Sequence, residues 1–222
     1  MQLETLLKTE NPNFASVIDF SGKKLIPLDF TENNPKLRQI QLDNTQALAA
    51  IIQEELDAHG AEIGYGGYGE DRIVYKRSKH FGTDENARSI HLGTDVWCQA
   101  KTPVCSPLKS TVHSFQINDN FGDYGPTIIL EHQLNDTVFY TLYGHLSKQS
   151  LENKQPGQII EKGEAFAETG ADDENGYWPP HLHFQIISDM QGYWGDFPGV
   201  CNKKEKNDFL EICPDPKIIL SI

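Results

Sequence analysis

Positive charge is scarce in this 222-residue sequence: 19 lysines and arginines stand against 32 aspartates and glutamates, a formal net charge of −13. That balance excludes a broad electrostatic grip on nucleic acid, on an anionic membrane or on an anionic wall polymer. Long hydrophobic runs are also missing, and nothing approaches the roughly 20 apolar residues of a membrane span. The opening MQLETLLKTENPNF carries acids where a signal peptide has a basic and then an apolar stretch, so a soluble, unexported, cytoplasmic chain is expected. Cysteine is sparse, and Cys98, Cys105, Cys201 and Cys213 show no CxxC spacing, which disfavours a zinc ribbon. Cys98 and Cys105 could meet across a hairpin, but small buried thiols are the expectation for a reducing compartment. Repeats, low-complexity tracts and flexible linkers are absent, and so is the HExxH helix of many metallopeptidases.

The length implies one domain with appendages, burying roughly 70% of its unfolded surface without staples. Residues 1 to about 62 differ in texture from the rest. IDFSGKKLIPLDF holds strand-like pieces around a glycine turn, and Leu48, Ile51, Ile52 and Leu56 recur at helical spacing. This predicts an amphipathic helix over about 45–59, with Asn44 or Thr45 as its N-cap and Gly60 as its stop. From about residue 88 the sequence turns to short β runs (VCSPL, STVHSFQI, PTIILEH, TVFYTLYGHL, HLHFQIIS) divided by Gly, Pro, Asn and Asp. Such a pattern reads as an antiparallel sheet, sandwich or half-barrel. IIEKGEAFAETG reads as a tight hairpin turning at Lys162–Gly163, and CPDPKIILSI as a last strand returning to the body.

Chemistry concentrates in a few histidines. In GYWPPHLHFQI, strand alternation puts Leu182, Phe184 and Ile186 on one face and His181, His183 and Gln185 on the other. Pro179 and Pro180 suit a strand entrance and exclude a helix. Upstream, RSIHLGTD sets His91 four residues before Asp95. A regular strand would hold those side chains roughly 13 Å apart, too far for one ion with bonds of about 2 Å. Gly93 and the β-branched run after it argue against a helix, so a bend at Gly93 is the way to converge them. Imidazole and carboxylate suit zinc, and a hydrolytic zinc needs three protein ligands and one open position. The third ligand comes from the HLH pair, whose local geometry leaves open which histidine binds. FYTLYGHLS adds His145 just past an aromatic strand. In GGYGEDR, Arg72 is either available to a substrate carboxylate or part of a structural turn with a surface ion pair.

HLGTD at 91–95, YGHLS at 143–147 and HLH at 181–183, with GQIIEKGEAFAETG between the last two, resemble in order and spacing the motif set of the lysostaphin-type zinc metallopeptidases. The resemblance covers roughly residues 88–190. It implies a mainly β fold with minor α, an antiparallel β-sheet groove or half-barrel over 86–222, preceded by an N-terminal α/β extension over 1–85. It further implies one zinc ion (Zn2+) held by His91, Asp95 and His183, with His145 and His181 as the catalytic pair, and a zinc metalloendopeptidase acting on a peptide or peptidoglycan-like substrate. His132 falls where many members carry a histidine and is expected to be structural. GYGEDRIVY, DYGPTIILEH, NGYWPPHLHFQII, GDFPGV and CPDP resemble more narrowly the peptidase-like domain of fusions between a kinase-like domain and a class III aminotransferase, which agrees with a cytoplasmic setting. The extension is expected to add core strands and a covering helix, with donation of a fourth metal ligand as the rarer device. Two other functions compete: a catalytically silent or autoinhibited zinc-binding module, and a phosphohistidine carrier, since HLGTD also resembles the HFGID stretch of sugar-phosphotransferase carriers.

Overall fold

The computed structural model describes residues 3–10, 13–84 and 86–222. In chain order the elements are α1 (Leu3–Glu10), β1 (Leu25–Pro27), α2 (Thr45–His59), β2 (Ile63–Gly66), β3 (Ile90–His91), β4 (Thr94–Trp97), β5 (Pro103–Cys105) and β6 (Ser110–Asn118). They continue with β7 (Gly125–Leu134), β8 (Thr137–Gly144), β9 (Ile159–Ile160), β10 (Ala165–Glu168), β11 (His181–Ile187), β12 (Val200–Cys201), α3 (Lys206–Ile212) and α4 (Lys217–Leu220). Eight strands form one sheet in the order β1-β2-β4-β11-β8-β7-β6-β9, antiparallel except for the parallel β1–β2 pair. Two small two-stranded sheets, β10–β5 and β12–β3, stand beside it. The fold is therefore mainly β, built on a large antiparallel sheet that does not close into a barrel.

Local chemistry explains the main elements. The Asn44 side chain accepts a hydrogen bond from the Ala47 N–H at 3.0 Å, and Gly60 ends α2 in the left-handed region at φ 56°. The apolar stripe of Leu48, Ile51, Ile52 and Leu56 is buried against Ile26, Leu28, Phe30 and Trp97. The strands within residues 1–85 join the edge of the main sheet through β2 and β4. In β11 the alternation holds, and all seven residues are buried. Leu182, Phe184 and Ile186 enter the largest apolar cluster with Ile128, Leu130, Phe139 and Tyr143.

Two predicted elements differ. IIEKGEAFAETG does turn at Lys162–Gly163, but β9 pairs with β6 while β10 pairs with β5, so it is not a hairpin. The Gly163 N–H donates to the Ser106 carbonyl at 2.8 Å and Ser106 N–H to the Glu164 carbonyl at 3.1 Å, which draws the chain to the other sheet. The tail ends in α4 and not in a strand: Pro216 is preset for a helix entrance, and the Asp215 carboxylate accepts from the Lys217 N–H at 2.9 Å. Ile219 and Leu220 are still delivered to the core, as a strand would have done. The four cysteines are free thiols. No helix among the described residues is long and apolar enough to cross a membrane.

Candidate metal centre

Sheet register brings the motifs together. On β11 His183 lies opposite Asp95 of β4 on one side and Gly144 of β8 on the other, and His181 lies opposite Trp97. His145 follows Gly144 directly and adopts a left-handed backbone at φ 60°, an uncommon conformation for a residue with a Cβ. His91 arrives from outside the main sheet: β3 pairs with β12, and the chain breaks at Leu92–Gly93 before β4 begins. That break closes the separation a straight strand would impose, leaving His91 Nε2 3.3 Å from Asp95 Oδ1. Gly93 is required here, because a Cβ on it would stand 2.6 Å from the His183 ring.

The donors form a triangle. His91 Nε2 is 2.9 Å from His183 Nδ1, and His183 Nδ1 is 3.1 Å from Asp95 Oδ1. Tetrahedral zinc with bonds of about 2.0–2.1 Å separates its ligands by roughly 3.3–3.4 Å, so these three atoms are spaced for such an ion. Their protonation follows from their neighbours. His91 Nδ1 faces the Gly67 carbonyl at 3.2 Å, which can only accept, so the proton sits on Nδ1 and Nε2 is bare. His183 Nε2 donates to Gln185 Oε1 at 2.9 Å; the Gln185 amide is oriented by its own N–H, which donates to the Pro198 carbonyl at 3.1 Å. His183 Nδ1 is therefore bare as well. Two lone pairs and a carboxylate oxygen thus converge with no proton between them, an arrangement that calls for a cation.

Asp95 is held from behind. Its Oδ2 accepts from Arg72 Nη1 at 2.5 Å, leaving Oδ1 for the triangle. Arg72 is buried; it also donates to Glu70 Oε2 at 2.8 Å and the Gly66 carbonyl at 3.0 Å, and it lies over the Phe30 ring. It is therefore neither a partner for a substrate carboxylate nor part of a surface pair, because its donors are consumed within the protein. Burial works against the charge of Asp95, but its neighbours hold its carboxyl well below the usual range: His91 and His181 in acid, where their rings take up protons, and Arg72 at every pH. For His91, burial and then the Arg72 cation lower the pKa to about 3, which keeps the ring neutral and able to ligate. Among the described residues, none of 1–85 joins His91, Asp95 and His183; Arg72 reaches the centre from that part of the chain.

His145 and His181 lie together beside the triangle, with ring centroids 4.1 Å apart. His145 Nδ1 donates to the Asn175 carbonyl at 2.7 Å and His181 Nδ1 to the Pro179 carbonyl at 2.8 Å, so each leaves Nε2 bare. Burial lowers both pKa values, that of His181 to about 4 and that of His145 well below its ordinary value. Trp97 stacks on His181 at 4.0 Å, and Trp178 meets both rings edge-on. His132 lies outside this group, its Nε2 2.6 Å from Thr141 Oγ1 and its ring stacked on Phe139. Gln185 and Asn175, which fix two of these tautomers, stand outside the motifs that name the site. Only the place of Gln185 on the HLH face offered a signal.

Residues 89–193 match the family model described as Peptidase family M23. Among solved structures, a zinc containing peptidase from Vibrio cholerae is 28% identical over 44% of this chain and 27% of its own, with a TM-score of 0.37. The catalytic domain of the antimicrobial peptidase lysostaphin from Staphylococcus simulans is 22% identical over 71% of this chain and 92% of its own, with a TM-score of 0.46. Helicobacter pylori Csd3 is 24% identical over 56% and 32%, with a TM-score of 0.33. This chain thus spans about a quarter of the Vibrio cholerae peptidase, and none of the three reaches a TM-score of 0.5. No curated protein matches. The family match and the donor geometry together support a metallopeptidase.

Proposed function

We propose that this protein is a zinc-dependent metallopeptidase that hydrolyses amide bonds, with His91, Asp95 and His183 as metal ligands and His145 and His181 as its catalytic pair. The observation that carries the reading is the convergence of two bare imidazole nitrogens and one carboxylate oxygen within 3.3 Å of one another. Zinc, when bound, polarises a carbonyl and brings the pKa of a water to about 7.

The remaining work falls to the chain. His145 and His181 are neutral, and each presents an unprotonated Nε2, so either can take a proton from the attacking water and return it to the leaving amine. Whichever ring holds that proton becomes a donor able to stabilise the oxyanion. The carbonyls of Asn175 and Pro179 fix the tautomers, and the stacked Trp97 holds the His181 plane. Arg72 keeps Asp95 turned toward the triangle through a single oxygen. We further propose a reducing, cytoplasmic setting, a reading supported by the four free thiols.

The test is zinc content and peptide cleavage of two variants. His91→Ala is expected to lose the metal, and His145→Ala to keep it while losing at least 100-fold in kcat. Full activity in both would end the hypothesis.

A further inference from the structure

We propose that Arg77 is a positioning residue: together with Thr45 it clamps one turn, residues 175–179, whose two end carbonyls set the tautomers of His145 and His181. This rests on the hydrolase reading above and adds to it the groups that hold its proton-transfer pair in place.

The turn carries both of the bonds on which that pair depends. Asn175 begins it and accepts from His145 Nδ1 at 2.7 Å; Pro179 ends it and accepts from His181 Nδ1 at 2.8 Å. Hydrogen bonds from a ring N–H to a carbonyl span about 2.7–3.2 Å, so a displacement of about 0.5 Å takes either one to the end of that range. A ring released from its carbonyl is free to carry its proton on Nε2, the atom that has to stay bare.

The shape of the turn needs support. Gly176 and Tyr177 both have left-handed backbones, at φ 87° and 67°, and the Cβ of tyrosine disfavours that region. The Gly176 carbonyl accepts from the Gly122 N–H at 2.9 Å, and Asn175 Oδ1 accepts from the Trp178 N–H at 3.0 Å. The Tyr177 carbonyl accepts twice, from Thr45 Oγ1 at 2.7 Å and from Arg77 Nη2 at 2.8 Å. Arg77 Nη2 also donates to Thr45 Oγ1 at 3.0 Å, which closes a ring of bonds joining the first residue of α2 to the turn.

The surroundings of the guanidinium point to the same task. Arg77 is buried, yet its Nε and Nη1 have no hydrogen-bond partner among the described residues, so no carboxylate is bonded to this cation. Burial pushes its pKa down to about 10, which leaves it charged at neutral pH. A buried cation without a bonded carboxylate is destabilising, and an apolar side chain would fill the place at less cost. What offsets the burial is aromatic: the guanidinium lies 4.1 Å from the ring centroid of Trp178 and 4.9 Å from that of Phe121. Trp178 belongs to the turn and meets the rings of His145 and His181 edge-on. Arg77 therefore grips the turn at two adjacent residues, by a hydrogen bond at 177 and by its charge at 178.

The experiment uses the full chain with zinc added and histidine labelled with nitrogen-15. NMR nitrogen shifts report which ring nitrogen carries the proton. Zinc content is measured alongside, with kcat and KM for one peptide that the native protein cleaves, taken from a random octapeptide mixture. The native protein is expected to show Nδ1–H at His145 and His181. Arg77→Met and Thr45→Val are each expected to move at least one of the two rings toward Nε2–H. They should also lower kcat at least 10-fold, with KM within threefold of native and zinc content unchanged. Thr45→Ser restores the hydroxyl and should restore the native tautomers and kcat; the two Thr45 variants carry the test if Arg77→Met does not fold. Native tautomers in Thr45→Val, or Nε2–H rings in the native protein, would overturn the clamp. Tautomer shifts in the variants of a zinc-loaded protein that cleaves no peptide would end the hydrolase reading and leave the clamp standing.

Discussion

Replacing Arg72 with methionine removes a buried cation from between two carboxylates while keeping a long apolar stem. In the native protein the guanidinium bonds Asp95 Oδ2, Glu70 Oε2 and the Gly66 carbonyl, and the side chains of Arg72 and Asp95 are 2% and 4% exposed. Water cannot take over these bonds without opening the site. Breaking a buried ion pair by removing one partner costs about 3–5 kcal/mol, because the other charge stays buried and unpaired. Set against a total of about 5–15 kcal/mol for a typical domain, this is a large share. The assay is urea unfolding followed by tryptophan fluorescence, in EDTA so that metal binding does not enter the comparison. The midpoint should fall sharply with the slope unchanged, whereas Lys8→Met, on an exposed pair, should match the native protein within error. A loss under about 1 kcal/mol would show that Arg72 is not Asp95's counterion, and the argument for how Asp95 is oriented would fail.

Two further predictions follow from other contacts. Gln185→Leu removes the acceptor that fixes the tautomer of His183, so zinc affinity by chelator competition should fall about 10–100-fold, while an unchanged affinity would contradict the assignment of Nδ1 as ligand. His132, which is not a member of the candidate metal centre, has a pKa lowered by burial from 6.5 to about 4. The unfolded chain therefore takes up a proton first on acidification, so the His132 contribution is complete above pH 6.5 and shrinks as pH falls toward 4. Between pH 7.5 and 5 the native protein should lose about 2 kcal/mol more stability than His132→Gln, measured by urea unfolding at each pH. Equal slopes would mean that His132 protonates as readily folded as unfolded.

Several features were legible in the chain because the forces involved act over a few residues. The helix at 45–59 followed from its stripe, a capping residue at 44 or 45 and its glycine stop, and the two faces of His181–Ile187 followed from strand alternation. The incompatibility of His91 and Asp95 with one straight strand was also readable, and with it the need for a bend at Gly93. Where local pattern was too short, it misled. Two residues of β9 do not reveal their partner, and four residues of α4 do not show a period.

The sequence by itself determined which residue types are present for zinc and proton chemistry, through the spacing of its histidines and Asp95 and the order of its motifs. Tertiary structure alone decided which nitrogen of each ring is bare, because that depends on carbonyls and an amide contributed by distant segments: Gly67 for His91, Gln185 for His183, Asn175 for His145. It also decided the part played by Arg72, which is separated by 23 positions from the carboxylate it orients. Hydrogen-bond direction and enclosure are properties of side chains packed in three dimensions, and no one-dimensional pattern encodes them.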